Sequence, residues 1–219
     1  MSPRSAFDKA LKELQQDILR MASLVEQAVY ESVQSLVKLD VAGAAQVIMG
    51  DEMIDELYLE IEDKCVKLVA TQQPIAKDLR IVITGIKILL SLERMADHAV
   101  DIARATMCLS GHPLTVKPLE YIPEMARLTQ KMIKDGLDAY VHNDVEKARE
   151  MCALDDDVDY LFARAFRELI NCMTDDPKVV MQSAYLLYVS RYLERIADHA
   201  TNIGEAVIYL VTGERKELN

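Results

Sequence analysis

The stretch "ERMADHAVDIA", residues 93–103, returns almost unchanged as "ERIADHATNIG", residues 194–204. The glutamates that open the two copies, Glu93 and Glu194, are 101 positions apart. Each copy places a Glu and an Asp four residues apart and follows the Asp directly with a His. Residues four apart lie on the same side of an α-helix. Each copy therefore predicts one helical turn with two carboxylates on one face.

The composition favours helices over strands. The chain has 219 residues, of which 51% are hydrophobic, with 7 Gly, 6 Pro and no Trp, and it is rich in good helix formers. A net charge of −11 disfavours a nucleic-acid partner. We find no export signal, and the longest apolar stretch, residues 81–92, is too short to cross a bilayer. We therefore expect a cytoplasmic protein.

Turn-forming residues divide the chain into six segments of roughly 25–35 residues. The breaks fall near residues 40–43, around Pro74, from 111 to 123, near Asn143 and around Pro177. Asp40, the pair Asn143–Asp144 and the pair Asp176–Pro177 predict helix starts. Helical spacing is clear in the first segment, at Leu11, Leu14, Ile18, Met21, Val25, Ala28 and Val29.

The two halves of the chain repeat each other beyond the opening motif. Residues 39–58 align with residues 143–162 at an offset of 104, so the first half has about three more residues before its third helix. The extra residues fall in "TQQPIAKDLR", residues 71–80, against "TDDPKVV", residues 174–180. We predict an all-α fold of two tandem three-helix bundles related by internal duplication, one in residues 1–112 and one in residues 113–219.

Two carboxylates on one helix face need a compensating charge. Like charges four residues apart repel each other, and burial adds a larger cost unless they are paired or bound to a metal. The third helix of each half is apolar nearly all round, which predicts burial in the fold. Arg94 and Arg195, which follow the glutamates, are one candidate for compensation. A cation held between two helices is the other.

A second acidic pair occurs on the preceding helix, and the repeat selects its register. Asp51 with Asp55 and Glu52 with Glu56 are both spaced by four residues. The alignment matches Asp51 and Asp55 with aspartates of the second half, whereas Glu56 matches Tyr160. Only the register of Asp51 and Asp55 keeps an acidic pair in both halves.

Each half thus has two acidic pairs on consecutive helices, which predicts two metal sites. The predicted ligands are Asp51, Asp55, Glu93 and Asp97 in the first half and Asp155, Asp159, Glu194 and Asp198 in the second. Asp101 extends the first site by one turn, where the second half has Asn202. Carboxylate oxygens suit Mg, Ca, Mn, Fe or Zn and do not choose finely among them. We expect the two sites to differ in charge and affinity.

The histidines and cysteines are predicted to have structural roles. His98 and His199 point about 100° away from the preceding Asp on a helical wheel, and we expect them to lie between helices with their hydrogen bonds satisfied. We expect His112 and His142 to lie in loops or on the surface. The four cysteines form no C-x-x-C motif and are predicted to be packing residues, at Cys65, Cys108, Cys152 and Cys172.

The sequence offers no catalytic motif. It lacks the Glu-x-x-His ligands of di-iron carboxylate bundles, and it contains no recognisable nucleophile setting, phosphate loop or dinucleotide fingerprint. We therefore predict that the protein is not an enzyme.

The motifs together resemble the PhoU family of phosphate-uptake regulators. The resemblance is carried by "LERMADHAVDIA" at 92–103, "YLERIADHATNIGEAVIYLVTGE" at 192–214, "ATQQPIAKDLR" at 70–80 and "GDEMID" at 50–55. It implies an all-α protein whose E/D-x-x-x-D motifs bind multinuclear clusters of iron or zinc. These motifs match the eight predicted carboxylate ligands.

The resemblance also implies a function and partners. PhoU-like proteins are adaptors that act with the ATPase subunit of the phosphate ABC transporter and with the phosphate-sensing histidine kinase. They repress the starvation response when phosphate is plentiful, and a homodimer is reasonable. The alternative is a metal-free helical adaptor whose acidic motifs are structural or bind partners, because charged runs are usually solvated or paired.

Overall fold

The computed structural model describes residues 3–111 and 120–215, with side chains described from residue 6 onward. Within these ranges the secondary structure is helical and contains no strand. The α-helices, in chain order, are α1 Pro3–Lys38, α2 Val41–Gln72, α3 Lys77–Leu109, α4 Tyr121–His142, α5 Val145–Cys152, α6 Asp155–Asp175 and α7 Val180–Thr212. None of the helices in the described ranges is long and apolar enough to cross a membrane.

Helices α3 and α7 form the centre of the fold. They pack antiparallel, since Thr84 approaches the carbonyl of Ala206 at 3.5 Å while His98 lies against His199. Helices α1 and α2 cover α3, and helices α4, α5 and α6 cover α7. One continuous apolar core runs through both halves. The predicted all-α fold with two repeated helical halves is confirmed.

The predicted helix caps mostly agree with the structure. The Asp40 carboxylate accepts hydrogen bonds from the N–H groups of Ala42 and Gly43 at 3.0 and 3.1 Å and starts α2. The Asp144 carboxylate accepts from the Lys147 N–H at 3.0 Å and starts α5. Asp176 instead caps a short 3₁₀ turn, Pro177–Val179, so the last long helix begins three residues later than predicted.

The prediction of a single helix across residues 144–175 is wrong. The chain turns at Ala153 and Leu154, so that α5 ends at Cys152 and α6 begins at Asp155. The first turn of α6 contains three consecutive aspartates, Asp155 to Asp157. Negative charge is favourable in the first turn of a helix, whereas acidic side chains three or four residues apart in the middle of a helix repel each other. The break therefore places Asp155 at the start of its helix, whereas Asp51 lies inside α2.

The cysteine prediction is partly wrong. Cys65 and Cys152 are buried and Cys172 is half-buried, as packing residues should be. Cys108 is exposed near the end of α3.

Candidate metal centres

The four predicted carboxylates of the first half come together between α2 and α3. Burial, together with the negative charges of Asp55, Asp97 and Asp101, raises the pKa of Asp51 to about 6. Burial also raises the pKa of Glu93, with contributions from Asp97, Asp55 and Asp51. The register chosen from the repeat therefore faces α3. Asp55 is exposed, as are Glu52 and Glu56 of the other register, but only Asp55 contributes to the raised pKa of Asp51 and of Glu93.

The carboxylates of the second half come together between α6 and α7, and two of them lie deeper than their counterparts in the first half. Asp155 is 6% exposed and Glu194 is 8% exposed. Burial raises the pKa of Asp155 to about 7, helped by the charges of Asp198, Asp159 and Glu194. Burial is also the main cause that raises the pKa of Asp159 and of Glu194, and Asp198 is the next largest in both.

Arginines partly compensate these charges. Arg94 Nη1 lies 3.0 Å from Asp97 Oδ2 and its Nε lies 3.3 Å from Glu93 Oε2. At the repeated position, Arg195 Nη1 lies 3.1 Å from Asp198 Oδ2, and its Nε lies 3.9 Å from Glu194 Oε2. Both predicted arginines therefore pair with the acidic motif of their own helix.

One further arginine was missed at the sequence level. Arg191 forms an ion pair with Glu194 three residues later on α7. The equivalent position in the first half is Leu90, so the repeat gave no signal for it. The spacing of three residues on a predicted helix is the feature that would have indicated this pair.

Some carboxylate oxygens remain without a hydrogen bond despite the arginines. Among the described residues, Glu93 Oε2, Asp155 Oδ1 and Glu194 Oε2 are buried and accept no hydrogen bond. Arg94 is within ion-pair distance of Glu93 Oε2, but the two groups are not aligned for a hydrogen bond. Buried oxygens that lack a donor are costly. Their number and type fit a bound cation or an additional proton.

The side chains are arranged as ion pairs and not as a closed coordination sphere. Across residues 3–111 and 120–215, no group of three or more His, Cys, Asp or Glu is placed to hold a metal ion as it stands. The carboxylate oxygens are nevertheless the type of ligand that a hard or borderline cation prefers, and they lie on the facing sides of neighbouring helices. Binding one requires the carboxylates to rotate away from the arginines.

Asp101 and Asn202 occupy different surroundings. Asp101 pairs with Arg104 at 3.1 Å and contributes to the raised pKa of Asp51. Asn202 is exposed and lines a cavity of about 410 Å³ between α3 and α7, together with Lys87 and Arg94. Asp101 therefore belongs with the first carboxylate group, and Asn202 faces the groove between the central helices.

The histidine predictions hold only in part. His98 and His199 lie between α3 and α7 as predicted, with their rings stacked 5.9 Å apart. Burial lowers the pKa of both rings, that of His199 to about 4. The expectation of satisfied hydrogen bonds is wrong for His98, since its Nδ1 is buried without a partner. His142 is on the surface, as predicted, with Nδ1 2.9 Å from the carbonyl of Asp138. His112 lies outside the described residues.

Comparison with known proteins gives one consistent family. The family model of the PhoU domain matches the chain twice, at residues 18–106 and 122–207. The phosphate-specific transport system accessory protein PhoU homolog of Clostridium acetobutylicum is 46% identical over 219 residues, which are 99% of each chain. The homolog from Rhizobium meliloti is 35% identical over 97% of this chain and 90% of its own.

Solved structures agree with the sequence comparisons. The crystal structure of PhoU from Pseudomonas aeruginosa matches with a TM-score of 0.92 and 34% identity, over 95% of this chain and all of the other. The phosphate transport system regulatory protein PhoU from Streptococcus pneumoniae matches with a TM-score of 0.90 and 32% identity, over 97% of this chain and all of the other.

Proposed function

This chain belongs to the PhoU family, and from that premise we propose that it is a metal-binding regulatory adaptor of phosphate uptake and phosphate-starvation signalling. The observation that carries the proposal is the likeness over almost the whole chain to proteins named as accessory or regulatory proteins of phosphate transport. The same names favour a regulator over an enzyme.

The proposed partners are the ATPase subunit of the phosphate ABC transporter and the phosphate-sensing histidine kinase. In this proposal the protein keeps the kinase from starting the starvation response while phosphate is plentiful. It acts in the cytoplasm, where the ATPase subunit and the kinase's cytoplasmic domain are accessible, and it works as a homodimer. Long helices with exposed charged faces support an adaptor role, because they present extended surfaces to partners.

The proposed metal sites are the two carboxylate groups between consecutive helices. Asp51 and Asp55 on α2 would hold an ion together with Glu93 and Asp97 on α3, and Asp101 extends that group. Asp159 and the buried Asp155 on α6 would do so with Glu194 and Asp198 on α7, next to Asn202. We propose iron or zinc, while Mg, Mn or Ca would meet the same oxygens.

A cation bound in either group supplies positive charge that offsets the mutual repulsion of the carboxylates. The carboxylates of two helices then share one partner, which ties α2 to α3 and α6 to α7. Glu93, Asp155 and Glu194 each have a buried oxygen that accepts no hydrogen bond, and these oxygens gain most from such a partner. We propose that residues 1–112 and 113–219 each contain one such unit, so that ion binding stiffens the surface of each half.

A metal-free adaptor is the second candidate, and the arginine pairs favour it. Arg94 and Arg195 each reach both carboxylates of their acidic motif. In this alternative the carboxylates and arginines form structural ion pairs or bind partners directly. Removal of a bound ion lowers the melting temperature, because the ion stabilises the folded state. A metal-free protein has no such ion, so chelation should leave its thermal stability unchanged.

The proposal is tested by a pull-down with purified partners. The ATPase subunit and the kinase's cytoplasmic domain are each incubated with the protein, with and without phosphate and with and without chelator. We expect both partners to be retained, and we expect chelation to weaken retention. Retention of neither partner contradicts the adaptor function, and retention that chelation leaves unchanged favours the metal-free alternative.

A further inference from the structure

The hydroxyl of Thr201 on α7 is buried and has no hydrogen-bond partner. Thr201 is 1% exposed, and its Oγ1 neither donates nor accepts a hydrogen bond within the described residues. A buried hydroxyl without a partner loses its bonds to water and gains nothing in return. Such a group calls for a partner from outside the protein's own side chains, which can be an ordered water, an ion or a ligand.

Other helical hydroxyls of this protein show what Thr201 does not do. Thr106 on α3 donates to the carbonyl of Ile102, and Thr129 on α4 donates to that of Met125, at 3.1 and 2.8 Å. Ser190, earlier on α7, donates to the carbonyl of Leu186 at 2.9 Å. This bond to the carbonyl four residues earlier is the usual local solution for a buried helical hydroxyl. Thr201 makes no such bond, and neither does Ser183, another buried hydroxyl on α7.

Thr201 lies on the helix face that carries the second acidic motif. It follows Glu194 by seven residues and Asp198 by three, and both spacings place residues on one side of a helix. The backbone carbonyl of Thr201 accepts a hydrogen bond from the Cys152 thiol, with Sγ 3.7 Å from the carbonyl oxygen. Cys152 ends α5, three residues before Asp155, so α7 meets the junction of α5 and α6 at Thr201.

Among the described residues of the second half, four buried side-chain oxygens lack a hydrogen-bond partner. One is Ser183 Oγ, near the start of α7 and eleven residues before Glu194. The other three belong to the acidic face of α7 and to the start of α6; they are Asp155 Oδ1, Glu194 Oε2 and Thr201 Oγ1, and each residue is more than nine-tenths buried. The first half has only Glu93 Oε2 in this condition among the described carboxylates of its group. The residue of the first half that aligns with Thr201 is Val100, which has no hydroxyl.

We propose that the Thr201 hydroxyl completes the second metal site, as an oxygen ligand or as a hydrogen-bond donor to a ligand of the ion, and makes that site tighter than the first. The inference rests on the proposed metal-binding function and assigns a residue to it that the repeat does not contain. The hydroxyl is neutral, so it adds an oxygen ligand or a hydrogen-bond donor without adding negative charge to a group that already contains four carboxylates. The two halves therefore bind hard or borderline cations with unequal affinity.

The test is a Mn²⁺ titration of the full-length protein on a Glu93→Ala/Asp97→Ala background, which isolates the second site. On that background we compare T201V, T201S and T129V, with free Mn²⁺ followed by its electron paramagnetic resonance signal. T201V should weaken Mn²⁺ binding by roughly 10- to 100-fold, as loss of an outer-shell partner typically does. T201S retains the hydroxyl and should keep the affinity. T129V removes a buried hydroxyl that already has a partner, and it should not change Mn²⁺ binding.

The stability of the metal-free protein provides a second readout that a purely structural role would not give. T201V should raise the melting temperature after chelation, because it removes a hydroxyl that lacks a partner, whereas T129V should lower it. Equal Mn²⁺ affinity of T201V and its parent overturns the inference and leaves the metal sites standing. A parent that binds no Mn²⁺ overturns both the inference and the proposed second site. Lower stability of chelated T201V also contradicts the inference, since it would show that the hydroxyl already has a partner.

Discussion

The imidazole rings of His98 and His199 stack against each other with their centroids 5.9 Å apart. The two residues occupy the same position in the two copies of the acidic motif. Because α3 and α7 run antiparallel, this stack lies at the local two-fold axis that relates the halves. One carboxylate group lies toward α2 and the other toward α6. The pair therefore lies on the contact between α3 and α7, the two helices that carry the acidic motifs.

Replacing His199 with Phe should reduce the loss of stability in acid. Burial lowers the pKa of His199 from 6.5 to about 4, and His98, Arg195 and Arg94 add to this, while Asp198 opposes it. The unfolded chain thus binds a proton as the pH falls below 6.5, and the folded chain does not until about pH 4. The stability that depends on the neutral His199 ring is fully present above pH 6.5 and is lost as the pH falls from 6.5 to about 4. At pH 5, H199F should retain about 1–2 kcal/mol that the wild type loses relative to pH 7.

This prediction is checked by urea unfolding of chelated protein at pH 7 and pH 5. His142→Phe is the matched control, because His142 is on the surface and its substitution leaves the His199 ring between α3 and α7, so the loss of stability at pH 5 should remain. Equal acid sensitivity of H199F and the wild type would show that the buried ring is not the source of the loss.

The choice of register on α2 predicts unequal effects of two double substitutions. Asp51→Asn with Asp55→Asn removes the carboxylates that face α3. On a Glu194→Ala/Asp198→Ala background, it should weaken Mn²⁺ binding at least roughly tenfold. Glu52→Gln with Glu56→Gln removes the same charge one residue along, from side chains that contribute to the raised pKa of neither Asp51 nor Glu93. Isothermal titration should show little change for that pair, and a loss equal to that of the aspartates would contradict the register.

Asp155→Asn should have opposite effects with and without metal. The pKa of Asp155 is raised from 3.8 to about 7, so the folded state binds this proton more readily than the unfolded state. Above pH 7 the buried charge is a cost, and stability is regained as the pH falls from 7 toward 3.8. In chelator at pH 8, D155N should be more stable than the wild type by about 1–3 kcal/mol. This gain should shrink at pH 5.

With saturating Mn²⁺ at pH 8 the order should reverse, because the wild type gains binding free energy that D155N has lost. Thermal unfolding in both buffers measures the two effects together. A D155N protein that is less stable in both buffers would indicate that the carboxylate has a structural partner, which contradicts a metal-binding role for Asp155.

Gly204 allows α7 to approach α5 closely, and its substitution should destabilise the protein. A Cβ at Gly204 would lie 2.5 Å from Cys152 Sγ and 2.8 Å from Met151 Cε. Gly204→Ala should cost about 1–3 kcal/mol of unfolding free energy, since overpacking forces neighbouring groups to shift. Gly50→Ala on α2 is the control, because nothing lies within 4 Å of its added Cβ. It should be stabilising by about 0.5–1 kcal/mol. Urea unfolding measures the change in unfolding free energy for the two variants. Equal changes for Gly204→Ala and Gly50→Ala would contradict the close approach of α7 to α5.

The internal repeat made much of this structure predictable. Two copies of one pattern fixed the register of Asp51 and Asp55, which a single copy leaves open. The caps at Asp40 and Asp144 followed from local chemistry, because short polar side chains satisfy the first N–H groups of a helix. The burial of α3 and α7 followed from apolar residues on nearly all their sides.

Features that differ between the halves were not predictable from the repeat. The break before Asp155 contains no proline or glycine, and only the run of three aspartates indicated it. The ion pair of Arg191 and the close approach at Gly204 occur in one half only. The unpartnered hydroxyl of Thr201 depends on rotamers and burial, which require the packed fold. These differences also distinguish the two candidate sites.

The metal content of the purified protein tests most directly whether the two carboxylate groups bind metal. Wild type, Glu93→Ala/Asp97→Ala, Glu194→Ala/Asp198→Ala and the combined variant are purified without chelator and analysed by mass spectrometry for bound metals, with their helical content checked by circular dichroism. We predict that each double variant loses part of the bound metal and that the combined variant loses nearly all of it. Equal metal content in wild type and the combined variant, or a folded wild type that contains none and takes up none, would contradict both metal sites.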